Sequence, residues 1–168
     1  MTLSIAILLL VTAQRLGELM LAQRNTRRLL AHGAHEAGRG HYPVMVALHT
    51  AWLATLWWLG WNRPVNLIPL SLFALMQVLR VWVIASLGGR WTTRIIVLPG
   101  ARLVAKGPFR FLRHPNYCIV TAEIVLLPLA LGLPQVAIVF SILNAAMLTV
   151  RIACENRALA RAANRHSQ

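Results

Sequence analysis

The sequence predicts an all-α membrane protein of about five transmembrane helical segments, the last two a helical hairpin, followed by a cytoplasmic C-terminal helix. Three observations predict it. Hydrophobic residues make up 58% of the 168 and charged residues only 12%, with a mean hydropathy of +0.61, a balance that belongs to a bilayer rather than to a soluble core. The apolar residues come in long runs divided by polar gaps that carry most of the glycines and prolines. Of the 17 Lys and Arg, the gaps 23–42, 88–117 and 151–168 hold four, six and four. Five segments with the N-terminus outside put all three gaps in the cytoplasm, as the positive-inside rule requires. The formal charge of +13 on its own fits nucleic acid, but its concentration in the gaps between apolar runs argues for no nucleic-acid partner.

The first span covers roughly Leu3–Ala22 and carries Gln14, Arg15 and Glu18. A spacing of three puts Arg15 and Glu18 on one face, and charges inside a span turn toward protein or water. The run lacks a preceding Lys or Arg and a small-residue cleavage site, so it reads as a retained span rather than a signal peptide. Gln23–Tyr42 reads as a loop on Gly33, Gly38 and Gly40, with a short helix over Thr26–Ala31. The second span, Pro43–Trp61, starts on a proline, whose missing N–H costs nothing in a first turn. It closes on Trp57, Trp58 and Trp61, an aromatic belt. After the 62–66 turn, a third span over Leu67–Leu87 carries Gln77 and Arg80 and breaks at Gly88-Gly89.

Arg90–Asn116 reads as an interfacial connector, partly buried through Ile95–Leu98 and Leu103–Ala105, with a turn at Pro99-Gly100. The runs Cys118–Leu131 and Gln135–Val150 make the hairpin around Gly132-Leu133-Pro134. About 14 residues at 1.5 Å each give the first arm only ~21 Å, short of a hydrocarbon core of ~30 Å. Arg151–His166 reads as the terminal helix. Cys118 and Cys154 fall at cytoplasmic ends of apolar runs, where thiols stay reduced, and read as small buried packing residues. No G-x-G-x-x-G, P-loop or H-E-x-x-H spacing occurs. His32, His35 and His41 share a loop without ligand spacing, so no metal site is expected.

Two stretches carry chemistry. Gly107–Tyr117 reads GPFRFLRHPNY; its two prolines fix φ and remove donors, which makes it a shaped loop. A cationic loop at a membrane edge suits an anionic cofactor group, or equally a juxtamembrane stop signal. Downstream, RIACEN (151–156) sets Arg151 and Glu155 one helical turn apart. Together these stretches resemble the isoprenylcysteine carboxyl methyltransferase family of integral-membrane enzymes. Its pattern is G-P-[FY]-x-x-x-R-H-P-x-Y, then a helical hairpin, then R-x-x-x-E-E. Gly107, Pro108, Arg113, His114, Pro115, Tyr117, Arg151 and Glu155 match. Asn156 replaces the second glutamate, and Cys118 stands where many members soon have a glycine. Upstream, RLGELMLAQRN (15–25) and GAHEAGRGHYP (33–43) resemble a bacterial subgroup associated with type III polyketide synthases and with O-methylation of alkylpyrones and phenolic lipids.

The resemblance implies one integral-membrane methyltransferase domain over 1–168 in a bacterial inner (cytoplasmic) membrane, using S-adenosyl-L-methionine (SAM). Residues 88–168 would hold SAM and 1–87 would shape the acceptor site. SAM offers a carboxylate, an ammonium, ribose hydroxyls and adenine. Arg113 or Arg151 can clamp the carboxylate, and Glu155 suits the ammonium or the ribose. His114 and Tyr117 supply hydrogen bonds, Pro115 belongs to the same set, and Leu103, Val104 and Gly107 line the adenine side. The plainer alternative pairs Glu155 with Arg151.

The expected acceptor is a hydroxyl on a membrane-dissolved lipid such as an alkylpyrone or phenolic lipid. The rivals are carboxyl methylation of a prenylated cysteine, phospholipid N-methylation, a sterol-reductase-like reduction, and a non-enzymatic membrane protein binding anionic lipid or a partner. His41, just ahead of the second span, is the candidate general base. It competes with Glu18 and Glu36, and with a plainer role for His41 in capping the span or meeting lipid phosphate. Arg15, Glu18 and Arg80 are the substrate-side candidates. With Glu123 they share a depth of ~8–12 Å below the interface. They read either as ion pairs cementing the bundle or as the polar end of a lipid-substrate tunnel.

Overall fold

Helix α1 runs unbroken over Leu3–Ala31 in a computed structural model of the chain. The structure describes residues 2–100, 104–112 and 114–164, with side chains through residue 158. The sequence reading ended this span at Ala22 and gave the next stretch to a loop holding a short helix over Thr26–Ala31. The helix continues because no Gly or Pro stands between Ala22 and Gly33, and because its extension has something to pack on. Ala22, Asn25 and Thr26 are buried along one face. Asn25 Nδ2 donates to the carbonyls of Gly88 (3.2 Å) and Trp91 (2.8 Å), satisfying backbone groups where the third span ends.

Four more helices follow: α2 over Tyr42–Gly60, α3 over Leu67–Leu87, α4 over Pro115–Ala130 and α5 over Pro134–Asn164. Helices α1, α2, α3 and α5 are long and apolar enough to cross a membrane, whereas α4, with 16 residues, is shorter. This is an all-α membrane fold, and α4 is the short arm the sequence indicates. The terminal helix is not separate. No Gly or Pro occurs in α5 after Pro134, so the chain runs through Val150 and Arg151 as one helix of 31 residues.

The two ends of the bundle are tied differently. At one end, Ser4 Oγ donates to the Trp61 carbonyl (2.8 Å) and the Asn66 amide to the Ala130 carbonyl (2.8 Å), while the Asn66 side chain caps α3. At the other end, β1 (His35–Ala37) pairs antiparallel with β2 (Ile95–Val97), a ribbon that the sequence reading took for loop. The β-branched run Ile95-Ile96-Val97 favours it, and Ile95 and Val97 turn inward while Ile96 does not. The ribbon fastens the first two basic segments together. Arg94 Nη1 binds both Glu36 carboxylate oxygens (3.0 and 2.9 Å) and its guanidinium lies 4.3 Å from the Tyr42 ring centroid. Burial lowers the Arg94 pKa, but Glu36 and Tyr42 outweigh it and hold the proton more tightly than usual.

Apolar side chains pack in two layers. One contains Leu8, Val11, Trp52, Leu56, Phe73, Ile124 and Leu127; the other contains Ala22, Val83, Trp91 and Ile119. Between them in chain order, on α1, α3 and α4, come Arg15, Glu18, Gln77, Arg80 and Glu123. The cysteines do not fill the core as expected: Cys118 is exposed and Cys154 half-buried, both as free thiols. Cys118 projects outward from a short helix whose inward face Ile119 and Glu123 occupy.

Candidate functional site

The first turn of α4 and the middle of α5 meet at the end of the bundle where the basic segments converge. Pro115 opens α4 and sets its direction. The Tyr117 hydroxyl accepts from Arg151 Nε at 3.0 Å and donates to Glu155 Oε2 in a short hydrogen bond. His114 stacks on Tyr117 with ring centroids 5.2 Å apart, and its Nδ1 lies 3.7 Å from the same Glu155 oxygen.

Two other parts of the chain hold Arg151, which is only 7% exposed. Its Nη2 donates to the Thr93 carbonyl at 2.7 Å, and its Nη1 meets the Met45 thioether sulfur. The backbone carbonyl fixes the guanidinium plane. The thioether is a weak acceptor, so it leaves Nη1 capacity for a better one. Asn116, between Pro115 and Tyr117, has a buried Oδ1 without a hydrogen-bond partner among the described residues. A buried acceptor left open in this way costs about 1–3 kcal/mol until a donor arrives.

Gly107 begins a 3₁₀ turn over Gly107–Arg110 with φ of +61°, a backbone state that glycine adopts without strain. A Cβ there would run into Ser86 on α3, so the loop lies closely against that helix. Val104 is half-buried just upstream. Leu103 and Arg113 lie outside the described residues. The expected set His114, Pro115, Tyr117, Arg151 and Glu155 is therefore brought together. Arg151 and Glu155 are joined through Tyr117 rather than directly. Asn116, Met45 and Thr93 were missed. Asn116 occupies a variable motif position, and Met45 and Thr93 lie on distant elements whose approach depends on the ribbon.

A second polar cluster sits deeper in the bundle. Arg15 donates to Glu18 (2.9 Å) and Glu123 (2.8 Å). Arg80 pairs with Glu18 at 3.1 Å and closes on both Glu123 oxygens. Gln77 Nε2 donates to Glu123 (2.8 Å), and Gln14 Nε2 to Gln77 (2.7 Å) and Glu18 (2.9 Å). Two guanidiniums and two carboxylates make the layer formally neutral, which is how ionised groups are tolerated at membrane depth. Arg80 is 3% exposed and Glu123 1%; of the four, Arg15 keeps the most accessible side chain, at 24%.

His41 closes a 3₁₀ turn over Arg39–His41 and packs on Gly38, within electrostatic reach of Arg151 and Glu36. His49, one of the residues the sequence reading passed over, lies on α2 between the two clusters. Its Nδ1 is 2.8 Å from the Met45 carbonyl, and the Arg15, Arg80 and Arg151 charges all act on its ring. Among the described residues no group of three His, Cys, Asp or Glu is arranged to hold a metal ion.

Comparison with known proteins places the chain in a family. The model of the isoprenylcysteine carboxyl methyltransferase (ICMT) family matches residues 67–161, which takes in α3, β2, the GPFRFLRHPNY loop, α4 and the Arg151–Glu155 pair. An uncharacterized protein of Bacillus subtilis (strain 168), YpbQ, is 38% identical over 163 residues, 89% of this chain and 92% of its own length. An uncharacterized protein of Haemophilus influenzae is 26% identical over 156 residues, 89% of this chain and 90% of its own. No solved structure matches. The chain is a membrane-embedded member of the isoprenylcysteine carboxyl methyltransferase family, a family of methyltransferases.

Proposed function

We propose that this protein transfers a methyl group from SAM to a hydroxyl of a membrane-dissolved lipid such as an alkylpyrone or phenolic lipid. The observation that carries the reading is the Arg151–Tyr117–Glu155 relay with His114, at the end where three basic segments meet. SAM supplies an activated methyl on a sulfonium, and the residues present suit its recognition groups. The open capacity on Arg151 Nη1 fits the carboxylate, Glu155 fits the ammonium or the ribose, and the buried Asn116 Oδ1 fits an N–H donor of either ammonium or adenine. Val104 and Gly107 stand on the adenine side of this reading, with Leu103 and Arg113 belonging to the same loop. Asn156 is exposed and adds no charge beside Glu155.

The acceptor side of this reading lies toward the deeper polar cluster, with Arg15, Glu18 and Arg80 as its substrate-side residues. The upstream stretch 15–25 contributes two of those three residues. Since Met45 from the first half touches Arg151, the proposed acceptor part (1–87) and SAM part (88–168) share a boundary. With the N-terminus outside a bacterial inner membrane, the relay faces the cytoplasm, where SAM is made. The reaction is a displacement at carbon, so its rate depends on alignment of the acceptor oxygen and exclusion of water.

The test is methylation of a host lipid extract by purified protein with labelled SAM, followed by mass spectrometry of the labelled product. A neutral lipid methyl ether, lost in Glu155→Gln, is the expected result. A methyl ester on a prenylated cysteine or an N-methylated phospholipid would move the acceptor to another class. No saturable SAM binding, or consumption of NADPH instead, would overturn the reading.

A further inference from the structure

We infer that His49, inside the second span, is the residue that takes the proton from the acceptor hydroxyl. This rests on the methyl-transfer reading above and deepens it. The Met45 carbonyl can only accept, so His49 Nδ1 carries the proton of their 2.8 Å hydrogen bond. The neutral ring then presents Nε2 as a bare acceptor, and Nε2 makes no hydrogen bond among the described residues.

Position argues the same way. His49 lies seven residues into α2, about 10 Å along the helix from its start. That matches the depth of ~8–12 Å that the sequence gives Arg15, Glu18, Arg80 and Glu123. His41, eight residues earlier, sits at the aqueous rim against Gly38. Met45, whose carbonyl orients His49, also touches Arg151 through its sulfur. The candidate base and the candidate SAM clamp are therefore joined by one residue.

The surroundings fit an oxygen that becomes anionic. Arg15, Arg80 and Arg151 all act on the His49 ring; Glu18 and Glu123, bound to the first two, are the carboxylates of the same layer. One turn further along the same face, Trp52 is 2% exposed and its indole N–H has no partner among the described residues. Side chains on a helix lean toward its N-terminus, which inclines Trp52 toward His49. An acceptor with a carbonyl or second oxygen beside its hydroxyl would satisfy that donor. This favours an enol or phenol over an isolated alcohol.

The step balances simply. The O–H bond breaks toward His49 Nε2, and the freed oxygen pair forms the O–CH3 bond. The C–S pair returns to sulfur, leaving a neutral thioether. The imidazolium then loses its proton to water.

The experiment uses the full chain in nanodiscs with labelled SAM and two probes: a long-chain alkylpyrone enol and the less acidic long-chain alkylresorcinol. His49→Asn keeps a donor for the Met45 carbonyl but has no base. We expect it to lower turnover on the alkylresorcinol by about 10²–10⁴-fold, the usual range for general-base help. The loss on the more acidic enol should be smaller, and SAM affinity should stay within a few-fold of wild type. Imidazole added to His49→Ala should restore part of the lost rate, which a structural role would not allow. His32→Ala, at the exposed end of α1, should leave turnover unchanged.

Equal losses on both probes, or a loss in His41→Ala as large as that in His49→Asn, would overturn the inference while leaving the methyltransferase reading intact. A wild-type protein that binds no SAM and methylates neither probe nor native lipid would overturn both.

Discussion

Arg151 and Glu155 are one turn apart on α5, yet they are joined by the Tyr117 hydroxyl, which accepts from Arg151 Nε at 3.0 Å and donates to Glu155. An arginine and a glutamate at this spacing usually meet directly on a helix surface. Here a third residue from another helix enters between them, and the Thr93 carbonyl turns Arg151 aside. The result is a cation and an anion held apart at a fixed separation, as suits a zwitterionic ligand.

Tyr117→Phe removes the shared hydroxyl and nothing else of size. Both charged partners then lose a hydrogen bond, an effect of about 1–3 kcal/mol. SAM affinity by calorimetry should fall roughly 5- to 150-fold, and Glu155→Gln should cost at least tenfold by the same reasoning. Wild-type affinity in Tyr117→Phe would remove the relay from the SAM site.

Glu123→Gln should act mainly on stability. Glu123 is 1% exposed and receives both Arg15 and Arg80. Its neutralisation leaves a net positive charge in the apolar bundle. Breaking one partner of a buried ion pair costs about 3–5 kcal/mol, whereas replacing a whole pair by apolar side chains of similar size is often nearly neutral. The double change Arg80→Met with Glu123→Leu should therefore be milder than Glu123→Gln in detergent unfolding. If Glu123→Gln unfolds like wild type but loses turnover, the layer serves the acceptor rather than the bundle.

Orientation is tested with single cysteines in a chain whose Cys118 and Cys154 have been replaced. Thiols placed at Arg28 and Arg110, on exposed sites in two basic segments, should react with a membrane-impermeant reagent only after the cells are opened. A thiol at Arg63, in the opposite turn, should react in intact cells. The reverse pattern would invert the topology.

The bundle was legible from apolar run length and from the glycines and prolines between runs; α3 falls on Leu67–Leu87 as the sequence indicates. Helix continuation was less legible. The polar faces of 23–31 and 151–164 look like loop or a separate helix, but the missing breakers and the buried contacts of Asn25 and Arg151 keep both stretches in α1 and α5. The ribbon was invisible because its strands are three residues each and 58 or more apart in sequence. For the site, the motif residues were readable because the loop's chemistry is local. Met45, Thr93 and His49 were not, since their place beside Arg151 exists only once α2, β2 and α5 have met.

Gly107→Ala offers a last test, because the structure gives it two separable costs. The first is steric: a Cβ at this position meets the Ser86 hydroxyl, at the C-terminal end of α3. The second is conformational: φ of +61° puts an L-residue in the left-handed region at about 1–2 kcal/mol. Both act on the turn that leads directly into the motif, so the expected outcome is weaker SAM binding with the helical bundle intact by circular dichroism. Adding Ser86→Gly removes the collision but not the φ cost. The double variant should recover part of the affinity and still fall short of wild type by roughly 5- to 30-fold, the equivalent of 1–2 kcal/mol. Full recovery would mean that close packing on α3, not backbone shape, is what the loop requires of Gly107; no recovery would mean that backbone shape alone sets the loop.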